Sequence, residues 1–157
     1  MAEEVQLVVF TLKQEDQICE YGVPITKVQE IISMTTPTKM PQTPDFVEGI
    51  INLRGKIIPI IDLKKRFDMG KSNITNDTRS VIVEVEGQTV GIIVDEVSEV
   101  LRLQVDNIEP PPAVIGGITA EYLTGVGKLD NRLLILLDMD KILTEKEKAE
   151  LVNVGEN

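Results

Sequence analysis

Few side chains in this 157-residue chain could do chemistry, and the closest groups of them are carboxylates. Asp95 and Glu96 are adjacent, and Asp138 and Asp140 flank one residue. A calcium or magnesium loop needs several oxygen ligands spaced around a tight turn, whereas both pairs precede predicted helical turns, where carboxylates favour the helix dipole. The chain has no His and a single Cys, Cys19, so it lacks the groups for His-based catalysis, His-ligated metals and an internal disulfide. We therefore predict no catalytic, metal or cofactor site.

Two charged residues stand out because their neighbours are apolar. Arg54 lies at the tip of a predicted hairpin that otherwise consists of Ile and Leu, and Glu30 lies on a predicted helical turn beside Val28 and Ile31. Each could be an ordinary solvated charge. Beside exposed aliphatic side chains, however, a guanidinium fork and a carboxylate could fix the orientation of a protein partner.

The elements that would position these residues are mostly short strands. Residues 5–12 and 18–25 are rich in β-branched and aromatic side chains, which predicts two strands. Residues 26–32 have apolar side chains at helical spacing, which predicts one or two helical turns. Residues 49–62 contain two apolar runs around an Asn and a Gly, which predicts a hairpin.

The second half of the chain repeats the first. Residues 21–32 align with residues 90–101 at an offset of 69, and residues 49–62 align with residues 125–138 at an offset of 76. Each half offers about five short strands, which bury their apolar faces best by curling into a small barrel. We therefore predict an all-β fold with short helices, in which two five-stranded barrels related by internal duplication pack together.

These patterns also predict the division of the chain. We expect one domain over residues 1–157, with a first barrel over residues 13–78 and a second over residues 79–143. The strand at residues 5–12 could complete either barrel. A capping box predicts a C-terminal helix and tail over residues 144–157.

Composition excludes further classes of function. The formal net charge is −10, from 16 Lys and Arg against 26 Asp and Glu, and the aromatic side chains are three Phe and two Tyr. Nucleic-acid binding is disfavoured, because phosphates would be repelled and few rings are available for stacking. The apolar runs are too short to span a bilayer, and the acidic N-terminus lacks a signal-peptide core. We expect a cytoplasmic protein.

Several motifs resemble those of the CheW family of bacterial chemotaxis coupling proteins, over about residues 5–145. The motifs are Phe10-Thr-Leu12, Tyr21-Gly-Val23, Val28-Gln-Glu-Ile31, Asn52-Leu-Arg-Gly55, Pro59-Ile-Ile-Asp-Leu63, Val94-Asp-Glu-Val97 and Glu121-Tyr-Leu-Thr-Gly-Val-Gly127. The same domain also occurs fused to a kinase or a receiver. A chain of 157 residues leaves no room for either, so we expect the free adaptor.

The resemblance implies a fold and a function. The fold is two intertwined SH3-like barrels. The function is that of a non-catalytic adaptor, without cofactors, which links the cytoplasmic tips of methyl-accepting chemoreceptors to the histidine kinase CheA at membrane receptor arrays. CheA has a regulatory domain of the same double-barrel fold, so barrels of the two proteins could pack together. The residues implied to face the kinase or the receptor are Val28, Glu30, Gly49, Asn52, Arg54, Gly55, Gly91, Val97 and Val100.

An alternative from another class is a small-molecule-binding β-barrel. Such a protein needs a roomy apolar cavity with a few convergent polar groups. The predicted barrels are rich in branched aliphatic residues that would fill their interiors, which favours the adaptor.

Overall fold

The chain forms short strands joined by turns, as its apolar runs predict. The structure is a computed structural model and describes residues 3–14, 17–67, 69–70, 73–111, 114–115, 118–119 and 122–143. The strands are β1 (Glu4–Gln14), β2 (Gln17–Pro24), β3 (Val28–Ser33), β4 (Val47–Leu53), β5 (Lys56–Asp62), β6 (Arg79–Val85), β7 (Gln88–Val94), β8 (Glu96–Gln104), β9 (Ile108–Glu109), β10 (Val114–Ile115), β11 (Ile118–Thr119), β12 (Leu123–Leu129) and β13 (Arg132–Leu137). A short helix, α1 (Leu63–Arg66), follows β5, and 3₁₀ turns occupy Ile25–Lys27 and Val105–Asn107.

The longer strands form two sheets with the same internal arrangement. The first has the order β3-β6-β7-β5-β4, and the second has the order β8-β1-β2-β13-β12, extended by β9. Each contains one parallel pairing, β5 with β7 or β13 with β2, among antiparallel ones. We call the first sheet the first barrel and the second sheet the second barrel.

The pairing register reflects the internal duplication. Ile60 pairs with Gly91 in the first barrel, and Leu136 pairs with Gly22 in the second. Gly22 and Gly91 are 69 residues apart, and Ile60 and Leu136 are 76 residues apart, which are the offsets of the sequence repeat. Equivalent residues therefore occupy equivalent places in the two barrels.

The two repeats exchange strands. β1 and β2, from the first half of the chain, join the second barrel, whereas β6 and β7, from the second half, join the first. The first barrel thus spans residues 28–94, and the second combines residues 4–24 with residues 96–137. This arrangement corrects the predicted division into residues 13–78 and 79–143. A repeat in the sequence does not reveal which copy of a strand completes which sheet.

Two predicted helical turns are also corrected. Val28–Ser33 forms β3, in which more and less exposed residues alternate, and only Ile25–Lys27 is helical. Glu96 begins β8 directly after Asp95 instead of opening a helix. β3 is rich in β-branched residues, and in both segments the pairing with a neighbouring strand, β6 or β1, outweighs the helical tendency. The helix predicted over residues 144–157 lies outside the described residues.

The apolar residues form a shared core between the sheets and a smaller core inside each barrel. Along β7, Val90, Ile92 and Val94 contact the shared core, whereas Ile93 points into the first barrel. Both faces of this strand are buried, which explains why it reads as a continuous apolar run. The second barrel is filled by Leu7, Val9, Leu103, Leu134 and Leu136.

Four of the five aromatic side chains lie in one stack through the shared core. The order is Phe10, Tyr21, Phe67 and Tyr122, and the ring-centroid distances are 5.8, 6.4 and 5.9 Å. The guanidinium of Arg66 links the last of these rings to the fifth, because it lies 4.8 Å from the centroid of Tyr122 and 5.4 Å from that of Phe46. The stack runs from β1 and β2 of the second barrel to Phe67, which directly follows α1.

Candidate protein-interaction site

The tip of the β4–β5 hairpin is a two-residue turn that projects Arg54. Leu53 pairs with Lys56 across the turn, and Arg54 and Gly55 have φ angles of +53° and +84°. This combination is typical of a type I′ turn. The Oδ1 atom of Asn52 accepts a hydrogen bond from the backbone N–H of Gly55 at 2.8 Å. The turn holds the Arg54 side chain in solvent, where 74% of it is exposed.

Arg54 binds Glu30 across the two end strands of the first sheet. Its Nη2 donates to Oε1 of Glu30 at 2.9 Å, and its Nη1 donates to Oε2. The hydrogen bond and charge of Arg54 lower the pKa of Glu30, and Glu30 raises the pKa of Arg54 in return. The structure thus brings together the two residues that the sequence analysis paired, although Glu30 lies on a strand and not on a helix.

Gly49 has a structural reason for being glycine, and its position is buried. Its φ is +145°, and a Cβ atom would lie 2.2 Å from the carbonyl oxygen of Thr38. This close approach allows two backbone hydrogen bonds between Thr38 and Ile50, of 2.8 and 2.9 Å, which tie the segment after β3 to the edge of β4.

Gly91 is buried for a similar reason. A Cβ atom there would lie 2.5 Å from Cδ1 of Ile60, inside the first barrel. Gly49 and Gly91, which the family resemblance implies to face a partner, are thus both buried within the fold, where close packing accounts for glycine at each position.

The end strands of the two barrels carry equivalent apolar residues. Val28 on β3 and Val97 on β8 are half-buried and pack against the shared core. Three residues further on, the side chains of Ile31 and Val100 are 39% and 52% exposed. Each barrel therefore offers exposed aliphatic surface beside the shared core.

The second barrel also has an ion pair at its hairpin tip. Glu99, the repeat of Glu30, contacts Nη2 of Arg132 at 3.2 Å, and Nε of Arg132 donates to Glu20 at 3.2 Å. Hydrogen bonds from Arg132 to both carboxylates, mainly to Glu20, raise its pKa. The sequence analysis missed Arg132, because it lies two residues beyond the repeat of Arg54. A search for any cation near the second turn would have found it.

A buried ion pair near the start of β8 supports the fold. Lys64 and Asp95 form a buried ion pair with a 3.5 Å separation, and Asp95 also accepts a hydrogen bond from the backbone N–H of Lys13 at 2.6 Å. These contacts join α1 and β1 at the point where the chain crosses from β7 to β8.

Among the residues that the structure describes, the shared core and the carboxylates offer no sign of chemistry beyond this. Burial raises the pKa of the Tyr21 hydroxyl. Within the described ranges, no group of three or more Cys, Asp and Glu residues is placed to hold a metal ion.

The part of the chain that the structure describes contains no helix of the length and apolarity needed to cross a membrane.

Two strand-exchanged barrels, with an exposed arginine–glutamate pair and exposed aliphatic residues on the end strands, define the class of fold. The chain belongs to the CheW-like domain family, whose model matches residues 6–147.

Several similar proteins agree with this assignment. The chain is 41% identical over 152 residues to the chemotaxis protein CheW of Klebsiella aerogenes, covering 97% of this chain and 89% of that protein. It is 38% identical over 156 residues to the chemotaxis protein CheW of Treponema pallidum, with the same coverage. The crystal structure of the scaffolding protein TtCheW from Thermoanaerobacter tengcongensis has a TM-score of 0.80 at 41% identity, covering 92% of this chain and 91% of that one. The predicted family and the predicted double-barrel fold are confirmed.

Proposed function

We propose that the chain is a non-catalytic adaptor that couples methyl-accepting chemoreceptors to the histidine kinase CheA in bacterial chemotaxis. It acts in the cytoplasm, at receptor arrays on the membrane. Membership of the CheW-like family supports this role, as do the chemotaxis relatives. The observation that carries the proposal is the exposed Arg54, which a two-residue turn holds beside Glu30 at the edge of the first barrel.

The Arg54–Glu30 ion pair on the first barrel is better suited to binding a partner than to stabilising the fold. An exposed ion pair is weakly stabilising, because water screens it and the two side chains lose freedom. The same pair can orient a partner, because a guanidinium fork offers several donors in fixed directions. Val28 and Ile31 supply apolar contact beside it. We assign this surface to protein binding.

The predicted partner contacts that lie on accessible parts of the fold are Val28, Glu30, Asn52, Arg54, Gly55, Val97 and Val100. They lie on the tip of the β4–β5 hairpin and on the end strands β3 and β8. Contacts on both barrels would let one chain bind two partners, the kinase and the receptor. Signal transfer would then consist of a change in how the adaptor holds the kinase, without a chemical step.

The interiors of the barrels favour an adaptor over a small-molecule binder. The first barrel is filled by Ile58, Ile60, Ile82 and Ile93, all of which are buried. Close packing of branched side chains leaves little room for a ligand. The second barrel is filled in the same way by its own aliphatic residues.

A reconstituted kinase assay tests the proposal. CheA, a receptor cytoplasmic fragment and the purified chain are combined, and autophosphorylation of the kinase is followed with wild type and Arg54→Glu. We expect Arg54→Glu to reduce activation and co-sedimentation, because it places a carboxylate against Glu30 and removes the exposed cation. Lys141→Glu, which makes the same charge change at another exposed cation, should act like wild type. Activation and assembly at the wild-type level with Arg54→Glu would contradict the proposed site.

A further inference from the structure

The tip of the first barrel holds a residue in a conformation that its side chain disfavours. Arg54 has a φ of +53°, in the left-handed region that Gly, Asn and Asp adopt most readily. The first position of a type I′ turn has the same preference. Some feature other than the intrinsic preference of arginine must therefore stabilise the turn.

Asn52 provides that feature. Its Oδ1 accepts the hydrogen bond from the backbone N–H of Gly55 at 2.8 Å, so it links a position two residues before the turn to the second residue of the turn. The bond encloses Leu53 and Arg54 and limits the backbone conformations of both. It is a local side-chain-to-backbone bond of the kind that Asn often makes in turns.

Two other hairpin tips, those of β6–β7 and β12–β13, have different supports. Glu86 also has a positive φ, of +47°, and there Oδ1 of Asp140 accepts a hydrogen bond from the backbone N–H of Glu86 at 3.0 Å. At the tip of the second barrel the left-handed residue is Asp130, a type that tolerates this conformation. The repeat of Asn52 there is Lys128. Asparagine thus occurs two residues before the turn whose left-handed residue is arginine, and not before the turn whose left-handed residue is aspartate.

We propose that Asn52 is a positioning residue, which holds the Arg54 guanidinium against Glu30 for the partner without contacting the partner itself. This inference rests on the proposed function. The family resemblance implies that Asn52 contacts the partner; here Asn52 instead supports Arg54, which makes the contact.

Two Arg54 nitrogens face the two Glu30 oxygens, so a modest rotation of the turn would separate one of the two pairs.

A double-mutant cycle tests the inference. The affinity of the regulatory domain of CheA is measured for wild type, Asn52→Ala, Arg54→Ala and the double variant. We expect Asn52→Ala to weaken binding by about three- to tenfold, which corresponds to the loss of one ordinary hydrogen bond. In the Arg54→Ala background the same change should weaken binding by less than about twofold, because the residue that it positions is gone. Asn52→Asp, which retains the accepting oxygen, should bind almost as wild type does.

A second measurement needs no partner. The pKa of the Glu30 carboxyl group is followed by NMR titration of the isolated chain. Wild type should show a lowered pKa, and Asn52→Ala should raise it towards the ordinary value, because Arg54 no longer donates from a fixed place. Asn131→Ala, an exposed asparagine at the tip of the second barrel, is the matched control and should change neither the pKa nor the affinity.

The outcomes separate the two claims. If Asn52→Ala weakens binding equally with and without Arg54, Asn52 is itself a contact and the inference is wrong. If Asn52→Ala leaves the Glu30 pKa at its wild-type value, the inference fails while the proposed function stands. If Arg54→Ala leaves the kinase affinity unchanged, the proposed partner site is refuted, and the inference with it.

Discussion

Replacing Gly49 by Ala should destabilise the chain through its backbone. The added Cβ would lie 2.2 Å from the Thr38 oxygen and 2.7 Å from the Thr38 carbonyl carbon, and neither backbone atom can move aside cheaply. The segment after β3 must therefore withdraw from β4, and the two hydrogen bonds between Thr38 and Ile50 are lost. Alanine is also strained at a φ of +145°.

These contributions give the size of the effect. Two hydrogen bonds contribute about 1 kcal/mol each, and the strained backbone adds about 1 to 3 kcal/mol. We expect the free energy of unfolding to fall by about 3 to 5 kcal/mol, which lowers the melting temperature of a chain of this length by roughly 10 °C.

Urea unfolding followed by far-ultraviolet circular dichroism measures this change, and hydrogen exchange at the Thr38 and Ile50 amides locates it. Gly22→Ala is the matched control, because its Cβ would be 3.2 Å from the end of the Leu136 side chain and meets no strained φ. Its effect should stay below about 1 kcal/mol. A Gly49→Ala variant as stable as this control would refute the reasoning. A stable variant that no longer bound CheA would show that Gly49 faces a partner after all.

Three further changes have expected outcomes. Lys64→Met should lower the free energy of unfolding by about 3 kcal/mol in urea titrations, because it leaves the buried Asp95 carboxylate without its cation; an unchanged midpoint would contradict this. Glu30 has its folded pKa lowered below 4.5, so the stability it contributes is present above pH 4.5 and is lost as the pH falls through the folded pKa. Glu30→Gln should accordingly lose less stability than wild type over that acid range in thermal melts, and parallel pH profiles would argue against it. The third change is Val100→Asp, at a side chain that is 52% exposed. It should change the free energy of unfolding by less than about 0.5 kcal/mol but weaken co-sedimentation with kinase and receptor. Full co-sedimentation of the variant would show that Val100 is not part of the site.

Local patterns predicted the parts of the fold that depend on local physics. The β4–β5 hairpin follows from an Asn and a Gly between two apolar runs. The repeat offsets of 69 and 76 residues match the strand pairing, in which Gly22 pairs with Leu136 and Gly91 pairs with Ile60. Both signals involve backbone preferences or residue identities that can be read without the tertiary structure.

Which strands the two barrels exchange could not be predicted from local patterns, because the exchange depends on pairing between distant segments. β2 leads directly to β3 in the sequence, yet the two strands belong to different sheets. β3 itself was wrongly predicted as helical: Val28, Ile31 and Ile32 have helical spacing, and only the partner strand β6 decides against it.

The candidate site was predicted in part. The unusual placement of Arg54 and Glu30 among apolar residues indicated their association, and the structure brings them into contact. The equivalent pair of Arg132 and Glu99 was missed, since the cation is displaced by two residues along the strand and only the fold shows which carboxylate it reaches. The packing role of Gly49 and Gly91 was not predicted, because it depends on the distance to a neighbouring segment that only the fold brings close.

The aromatic stack determines the optical properties of the molecule. The chain contains no Trp, and its two tyrosines, Tyr21 and Tyr122, both lie in the aromatic stack. The aromatic near-ultraviolet circular dichroism of this protein therefore arises entirely from rings packed in the shared core. A change in how the barrels sit against one another on binding a partner without aromatic residues would alter that spectrum directly, with no added label. The unmodified protein can thus report whether the adaptor is rigid or rearranges when it is assembled.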